Sequence, residues 1–437
     1  MKNHIKAISI ILTVLCFVSP LFVSCSKEKD IDKLVDDYTN SITDPNFTYT
    51  PGDDKMYPFN CLVECNVQAY DGMIYFVTAQ KNSPRTVYRL DPQTGVISYV
   101  CSDPLCSHGR GCPLYGITAG FFVYNNKLFY NRYFIDPSKK TNDPDGNPRV
   151  NDFCVYDMSD GKMKVLQNYD YNMLISTDRQ IFTGNYRYYE DYVQLDESYE
   201  GYEEFYNEHN TVPFMMLPTR MDIETGERTV ISTKDSIMNA TEKLCFVLDE
   251  RIYFTDGKRL YSRDMNNENE IVHCEGNLGY NVSTNGKSVY FEKTQPTEDD
   301  DVIRSVYYIA DMNNYTEPVK IIDNTRGWRL TEKYIYYTDG EDRYYGEGAN
   351  QKYSLGTQLR RCSHDGTNDE LVIKYEGEYY TWQPYQKAIY GNYMYGLYFY
   401  STDDDGDGIY QDYSSDPNLA RIDLNTGEVY VIENKLK

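Results

Sequence analysis

The stretch Asp71-Gly72-Met73-Ile74-Tyr75-Phe76, followed by Val87-Tyr88-Arg89-Leu90-Asp91 and Thr94-Gly95, decides how this chain is read. It is a strand, a turn and a second strand that ends in a polar turn. The phrase returns as Leu128-Phe129-Tyr130 with Val155-Tyr156-Asp157 and Asp160-Gly161, and as Gln180-Ile181-Phe182 with Arg220-Met221-Asp222 and Thr225-Gly226. A fourth copy is Arg251-Ile252-Tyr253-Phe254 with Leu260-Tyr261-Ser262-Arg263-Asp264. A fifth is Val289-Tyr290-Phe291 with Tyr308-Ile309-Ala310-Asp311. The last two are Tyr334-Ile335-Tyr336-Tyr337 with Leu359-Arg360-Arg361-Cys362, and Leu397-Tyr398-Phe399-Tyr400 with Ala420-Arg421-Ile422-Asp423 and Thr426-Gly427.

The central aromatics of these copies are 37 to 71 residues apart. Tandem periods of this order mark solenoids, propellers or arrays, and an irregular period suits blades with variable loops. Each unit has room for four short strands. In the second unit they fall at 121–124, 127–132, 152–158 and 162–167, with the turn dipeptide Asn125-Asn126 between the first two. The strands are rich in Tyr, Val, Ile and Phe. Helical periodicity is confined to a short run at Asp30–Tyr38, read as a tether or cap. The expectation is an all-β, seven-bladed propeller of four-stranded antiparallel blades, with six or eight blades as alternatives. Ring closure is expected either from side-chain packing or from Cys61–Val67 adding to the last blade.

The first 24 residues read as a lipoprotein signal peptide. Lys2 and Lys6 precede an apolar run, Ile8–Val18, that is too short for a comfortable membrane span. Leu21-Phe22-Val23-Ser24-Cys25 then looks like a lipid-attachment box with Cys25 as the acceptor. Residues 25–58 are expected as a flexible tether and 59–437 as the propeller. The location that follows is the bacterial cell envelope, facing the exterior or periplasm, with the lipid anchor as the membrane contact. The formal net charge of -24 repels nucleic-acid backbones and suits an exported surface protein. A monomer is expected. There are 46 tyrosines against 2 tryptophans, and tyrosine offers rigid area with a polar tip.

Setting aside Cys16 and Cys25 leaves an odd number of cysteines, so one thiol at least stays unpaired in a closed monomer. Cys101, Cys106, His108 and Cys112 lie within twelve residues. They supply the four ligands that tetrahedral Zn2+ prefers, although the spacing is not that of a standard knuckle. A disulfide pinning the loop, or free thiols, are the competing readings. Cys61 and Cys65 are placed to link to each other or to clamp the start of the ring. Cys154, Cys245 and Cys274 read as buried free thiols.

In the last repeat, Asp403, Asp405 and Asp407 alternate before Gly408, which is how calcium loops begin. No Glu stands at the twelfth position, where Ser414 is, so the pattern is closer to a short Ca2+ loop that ends near Asp412. The alternative is an acidic solvated hairpin.

Long insertions at 131–150, 184–219, 338–357 and 401–418 fall between second and third strands, and so open on one face together with the Cys101–Cys112 connection. The longest is acidic and aromatic, and Tyr188, Tyr189, Tyr202 and Tyr206 are its expected ligand-binding residues.

The repeats, and above all Val100-Cys101-Ser102-Asp103-Pro104-Leu105-Cys106-Ser107-His108 through Cys112-Pro113, resemble an uncharacterised family of gut-bacterial surface lipoprotein propellers, similar in style to the propeller domain of TolB. The resemblance covers residues 60–434. It implies fold and anchoring, and no catalytic residue is carried over. The functional expectation is a surface lipoprotein that binds extracellular carbohydrate or peptide through its loop face and is more apt not to be an enzyme. Two alternatives stand beside it. One is a glycan-cleaving lyase or hydrolase with a metal- or carboxylate-based site, for which His108, His209 and His364 would have to converge. The other is a structural component of an envelope complex. No Gly-x-Ser-x-Gly, His-Glu-x-x-His or phosphate-cradling glycine loop is present.

Overall fold

The computed structural model describes residues 45–58, 60, 62–63, 66–80, 83–103, 105–109, 111–135, 149–168, 179–194, 197–198, 201–209, 214–231, 242–276, 278–296, 302–309, 311, 317–339, 343–345, 352–354, 358–374, 387–398, 401–402, 411–412 and 418–432. They form a seven-bladed β-propeller. Each blade is an antiparallel meander of four strands in sequence order. Blade 1 comprises Val67–Tyr70, Met73–Gln80, Ser83–Leu90 and Ile97–Tyr99. Blade 2 is Ile117–Tyr124, Lys127–Ile135, Arg149–Asp157 and Met163–Asn168, and blade 3 is Arg179–Thr183, Tyr186–Gln194, Phe214–Asp222 and Arg228–Val230. Blade 4 is Lys243–Leu248, Arg251–Thr255, Arg259–Asp264 and Ile271–Glu275, and blade 5 is Leu278–Thr284, Val289–Pro296, Val302–Ile309 and Val319–Ile322. Blade 6 is Gly327–Leu330, Ile335–Asp339, Gln358–Cys362 and Glu370–Lys374. Blade 7 is Ala388–Tyr390, Tyr393–Tyr398, Asn418–Asp423 and Val429–Ile432.

The recurring phrase is explained by its turns. The Asp that ends a third strand folds the next residues onto its own carboxylate. Asp222 Oδ1 accepts the amides of Glu224 and Thr225 at 2.9 and 2.8 Å, and Asp423 Oδ1 accepts those of Asn425 and Thr426 at 2.8 and 3.1 Å. The closing glycine has positive φ, +83° at Gly226 and +75° at Gly427. It also touches the outer strand of the preceding blade. A Cβ at Gly226 would stand 3.0 Å from the Leu166 carbonyl, one at Gly366 2.7 Å from that of Ile321, and one at Gly427 2.6 Å from that of Val372. The motif glycine therefore serves blade packing as well as the turn.

Apolar side chains from both faces of each blade meet those of the neighbouring blades, and the buried residues form seven clusters, one per blade-to-blade interface. The seventh closes the ring, with Ile74, Phe76 and Tyr88 of blade 1 packed near Tyr395 and Leu419 of blade 7. Closure is thus by side-chain packing. Among the described residues no strand is exchanged between blades 1 and 7, and Leu62–Val63 pairs with the first strand of blade 3 rather than joining blade 7.

Residues 47–58, 60 and 62–63 form a strap against the ring, whereas the sequence reading placed residues 25–58 in a flexible tether. Phe47 occupies the place beside Gly95 that an outer strand takes beside the other motif glycines; a Cβ there would stand 2.6 Å from the ring. The Arg421 guanidinium stacks on Phe47 and Tyr393 at 4.1 and 4.3 Å. Further along, Asp54 is buried and accepts hydrogen bonds from the Thr331 hydroxyl, the Lys333 amide and the Tyr336 hydroxyl. Lys55 and Met56 bridge to Tyr390 and Thr331 at the end of the ring that carries the first-to-second-strand turns. Asn60 bridges to Phe246, and Leu62–Val63 reach the opposite end beside Gln180 and Arg179. The chain thus threads its own central channel before blade 1 begins. Apolar packing supplies the physical reason: Phe47, Tyr49 and Met56 are half-buried against the ring.

The third repeat is offset by one strand from its sequence reading. Gln180-Ile181-Phe182 lies in a first strand, and the true second strand is Tyr186–Gln194. Much of the expected insertion is therefore a long hairpin, Tyr186–Gln194 paired with Phe214–Asp222. An eight-residue helix, Tyr202–His209, sits in the connection between them. Short hairpins also occupy the corresponding connections of blades 6 and 7.

Candidate metal centre

The link from blade 1 to blade 2 leaves the outer strand at Tyr99 and enters an inner strand at Ile117. Local turns fold it back on itself. The Cys106 amide donates to the Asp103 carbonyl at 3.1 Å, the Cys112 amide to that of Gly109 at 2.8 Å, and the Tyr115 amide to that of Cys112 at 3.1 Å. His108 takes positive φ, +52°, which turns its ring inward against the sulfurs. Cys101 Sγ, Cys106 Sγ, Cys112 Sγ and one His108 ring nitrogen all lie within 4.8 Å of one another. Tetrahedral ligands at zinc–sulfur distances stand about 3.8 Å apart. A small contraction is enough to close the set on an ion. The four groups are one unit able to coordinate a metal ion.

Its surroundings support that chemistry. The backbone amides of Asp103, His108 and Leu114 donate to Cys101, Cys106 and Cys112 in turn, each two residues past its sulfur. Amide donation to sulfur favours the thiolate that a metal needs. Hydrogen bonding from the Cys112 thiol, above all, holds Cys101 down at about 4, against the opposing effect of burial. Cys112 is pushed up, first by keeping its proton to donate to Cys101 and then by burial. Burial also raises Cys106. One sulfur thus carries the charge while its neighbours share protons with it, and a metal would replace those protons. His108 is fixed by stacking on Tyr99, with ring centroids 3.7 Å apart and planes 15° from parallel. Cys101 and Cys112 belong to the core between blades 1 and 2, and Cys106 is only half-buried.

Cys101, Cys106 and Cys112 are free thiols, grouped with His108 in an arrangement able to coordinate a metal ion. Cys154, Cys245 and Cys274 are buried free thiols as well. Cys25, Cys61, Cys65, Asp403, Asp405 and Asp407 lie outside the described residues, and Asp412 is in a two-residue strand paired with Ser401–Thr402.

The expected tyrosine surface is corrected. Tyr188 and Tyr189 are completely buried in the second strand of blade 3. Tyr188 faces the blade 4 side, and Tyr189 stacks on the Arg187 guanidinium at 3.7 Å and bonds Asp191 at 3.1 Å. Tyr202 and Tyr206 are one helical turn apart and stack on each other, with Tyr206 exposed. Two missed signals were in the sequence. Gly184-Asn185-Tyr186-Arg187-Tyr188-Tyr189 repeats the opening phrase, and Tyr202, Phe205, Tyr206 and His209 have helical spacing. His108 and His364 do not converge. His108 is at the end of the ring that bears the blade-to-blade links, whereas His364 lies in a turn at the other end and bonds the Thr331 carbonyl at 2.9 Å. His273 pairs with Ser262 on blade 4.

A concave site that the sequence did not reveal opens at that other end. The strap fills part of the channel mouth and leaves a cavity of about 560 Å³. Its wall includes Lys55 and Tyr57 of the strap, Asp71, Arg329, Glu332 and Tyr390. Lys55 and Glu332 form an ion pair at 3.4 Å.

The expectation of a purely binding protein, more apt not to be an enzyme, is corrected by these findings. Its tyrosine surface is not assembled, and the chain carries a preassembled metal-ligand set instead. No family model and no curated protein matches the chain. Solved structures of similar fold include lyases, peptidases and a nidogen/laminin complex. Oligogalacturonate lyase from Vibrio parahaemolyticus is 12% identical over 85% of this chain and 94% of its own, with a TM-score of 0.46. An oligogalacturonate lyase in complex with manganese is 13% identical over 88% and 96%, with a TM-score of 0.47. The propeller domain of the Trilobed protease from Pyrococcus furiosus, described as having an open velcro topology, is 10% identical over 86% and 98%, with a TM-score of 0.45. At these identities the likeness is one of fold.

Proposed function

We propose that the chain is a metal-carrying propeller enzyme that cleaves polymeric carbohydrate by lyase or hydrolase chemistry, anchored outside the cell through Cys25. The observation that carries this reading is the Cys101, Cys106, His108 and Cys112 set, four ligand atoms within 4.8 Å on a link braced by backbone amides. Zinc held there would offset the charge of the three thiolates and tie together the link between blades 1 and 2. Four protein ligands close its coordination, so the bond-breaking groups belong to a separate concave site. The channel-mouth cavity offers the groups such chemistry uses. Asp71 and Glu332 are carboxylates for general acid and base work, and Arg329 and Lys55 are cations that stabilise developing negative charge.

The test is purified, metal-analysed protein incubated with acidic and neutral polysaccharides. New reducing ends report hydrolysis, and ultraviolet-absorbing unsaturated ends report elimination. Glu332→Gln and Asp71→Asn are expected to lower the rate by about 10²-fold or more while metal content stays the same. Metal-loaded protein that creates no new ends on any polymer overturns the proposal.

A further inference from the structure

The four groups on the link from blade 1 to blade 2 are not equally placed. Cys101 and Cys112 are 6% and 2% exposed and belong to the core between the two blades. Cys106 is only half-buried and packs against that core from its edge. It sits on a turn whose residues Ser102, Asp103, Leu105 and Ser107 are exposed, Leu105 to 87%. Asp103 shapes that turn. Its carboxylate accepts the Leu105 amide at 2.9 Å, and its carbonyl accepts the Cys106 amide at 3.1 Å. The set thus has one sulfur that solvent reaches and two that lie in the core.

The same closeness that suits a metal suits a sulfur–sulfur bond. The ligand atoms lie within 4.8 Å of one another. A disulfide is about 2.05 Å long, so the exposed turn has to carry Cys106 by less than about 3 Å to reach a buried sulfur. Cys154, Cys245, Cys274 and Cys362 are buried in other parts of the ring and offer no such partner-and-access pair.

We propose that this metal centre is a redox switch, in which hydrogen peroxide oxidises Cys106 and the cystine it forms with Cys101 or Cys112 expels the zinc. The proposal rests on the metal-centre reading and adds its regulation. The Cys106 thiolate attacks the peroxide and the O–O bond breaks. One oxygen stays on sulfur as a sulfenic acid, and the other leaves as water after taking a proton from solvent. A buried thiolate then attacks the Cys106 sulfur, the S–S bond forms and the second oxygen leaves as water with another solvent proton. The two sulfurs give up two electrons and the peroxide takes them. Zinc is left with two of its four protein ligands and is released. Reduction by a dithiol restores the set.

The experiment uses purified protein, zinc-loaded under reducing conditions and then freed of reductant. Hydrogen peroxide is added, released zinc is followed with a chromogenic chelator, and unreduced peptides are mapped by mass spectrometry. About one zinc per chain is expected to appear, together with a cystine that includes Cys106, and dithiothreitol with zinc should reload the site. Cys106→His keeps four ligand atoms of kinds zinc accepts but removes the accessible sulfur, and its zinc release should be at least about tenfold slower. Zinc retained in the wild type, zinc lost without a cystine at Cys106, or a zinc-loaded Cys106→His that releases metal as fast as the wild type overturns the switch and leaves the metal centre standing. Wild type that takes up no zinc before oxidation defeats the metal centre itself and the switch with it.

Discussion

The side-chain amide of Asn60 holds the backbone of Thr284 through two hydrogen bonds, Nδ2 donating to the carbonyl at 2.8 Å and the Thr284 amide donating to Oδ1 at 2.7 Å. Both residues are buried, so the strap supplies partners for blade 5 that water cannot reach. Gln68 makes the same double bond from blade 1 to Val123 of blade 2, at 3.0 and 2.8 Å. A carboxamide that clamps a neighbouring inner strand is thus used twice. In one case it joins adjacent blades, and in the other it fixes the threaded segment.

Asn60→Ala is expected to leave a buried amide and carbonyl unanswered. The loss should be about 2 kcal/mol, with Tm lowered by several degrees in a thermal melt. An unchanged Tm would mean that the strap does not hold the ring.

Gly427→Ala should destabilise by about 1–3 kcal/mol, because positive φ and the Val372 carbonyl both oppose a Cβ. Gly161→Ala is the control. It has φ of +72°, but a Cβ there would meet its nearest neighbour, the Tyr156 hydroxyl, only at 3.5 Å, so it should lose only the conformational part. Equal effects in denaturant titrations would remove the packing role given to the motif glycine.

Purified protein should carry about one zinc per chain, and Cys101→Ser should bring that close to none. Cys274→Ala, in blade 4, should leave the metal content unchanged. Chelation should lower the Tm of the wild type and have little effect on Cys101→Ser. Since Cys106 and Cys112 must give up protons held above the usual thiol range, zinc affinity should rise with pH.

Burial raises the Asp54 carboxyl pKa, although hydrogen bonds from Thr331, Lys333 and Tyr336 oppose it. The folded state therefore binds its proton more tightly than the unfolded chain does. The associated stability is fully present below the ordinary aspartate pKa and is lost as pH rises through the folded value. The unfolding free energy of the wild type relative to Asp54→Asn should fall across that window in parallel denaturant series. A difference that rises with pH would reverse the assignment.

The sequence by itself determined the seven-blade ring and its closing turns. Alternating Tyr, Val and Ile between polar turns repeats locally, and local backbone preference reads directly from such a pattern. It also determined the ligand unit, because Cys101, Cys106, His108 and Cys112 are close along the chain and a short link can bring together little else. Tertiary structure decided the rest. Tyr188 and Tyr189 have the composition of a surface loop, and only pairing with the strand through Arg220 and Thr219 buries them between blades. His108 and His364 look alike in sequence and are separated by the alternation of strand direction. The threaded strap and the channel-mouth cavity were not legible at all. They depend on contacts such as Asn60 with Thr284 and Lys55 with Glu332, between residues more than two hundred positions apart, whose free energy exists only once the ring has formed.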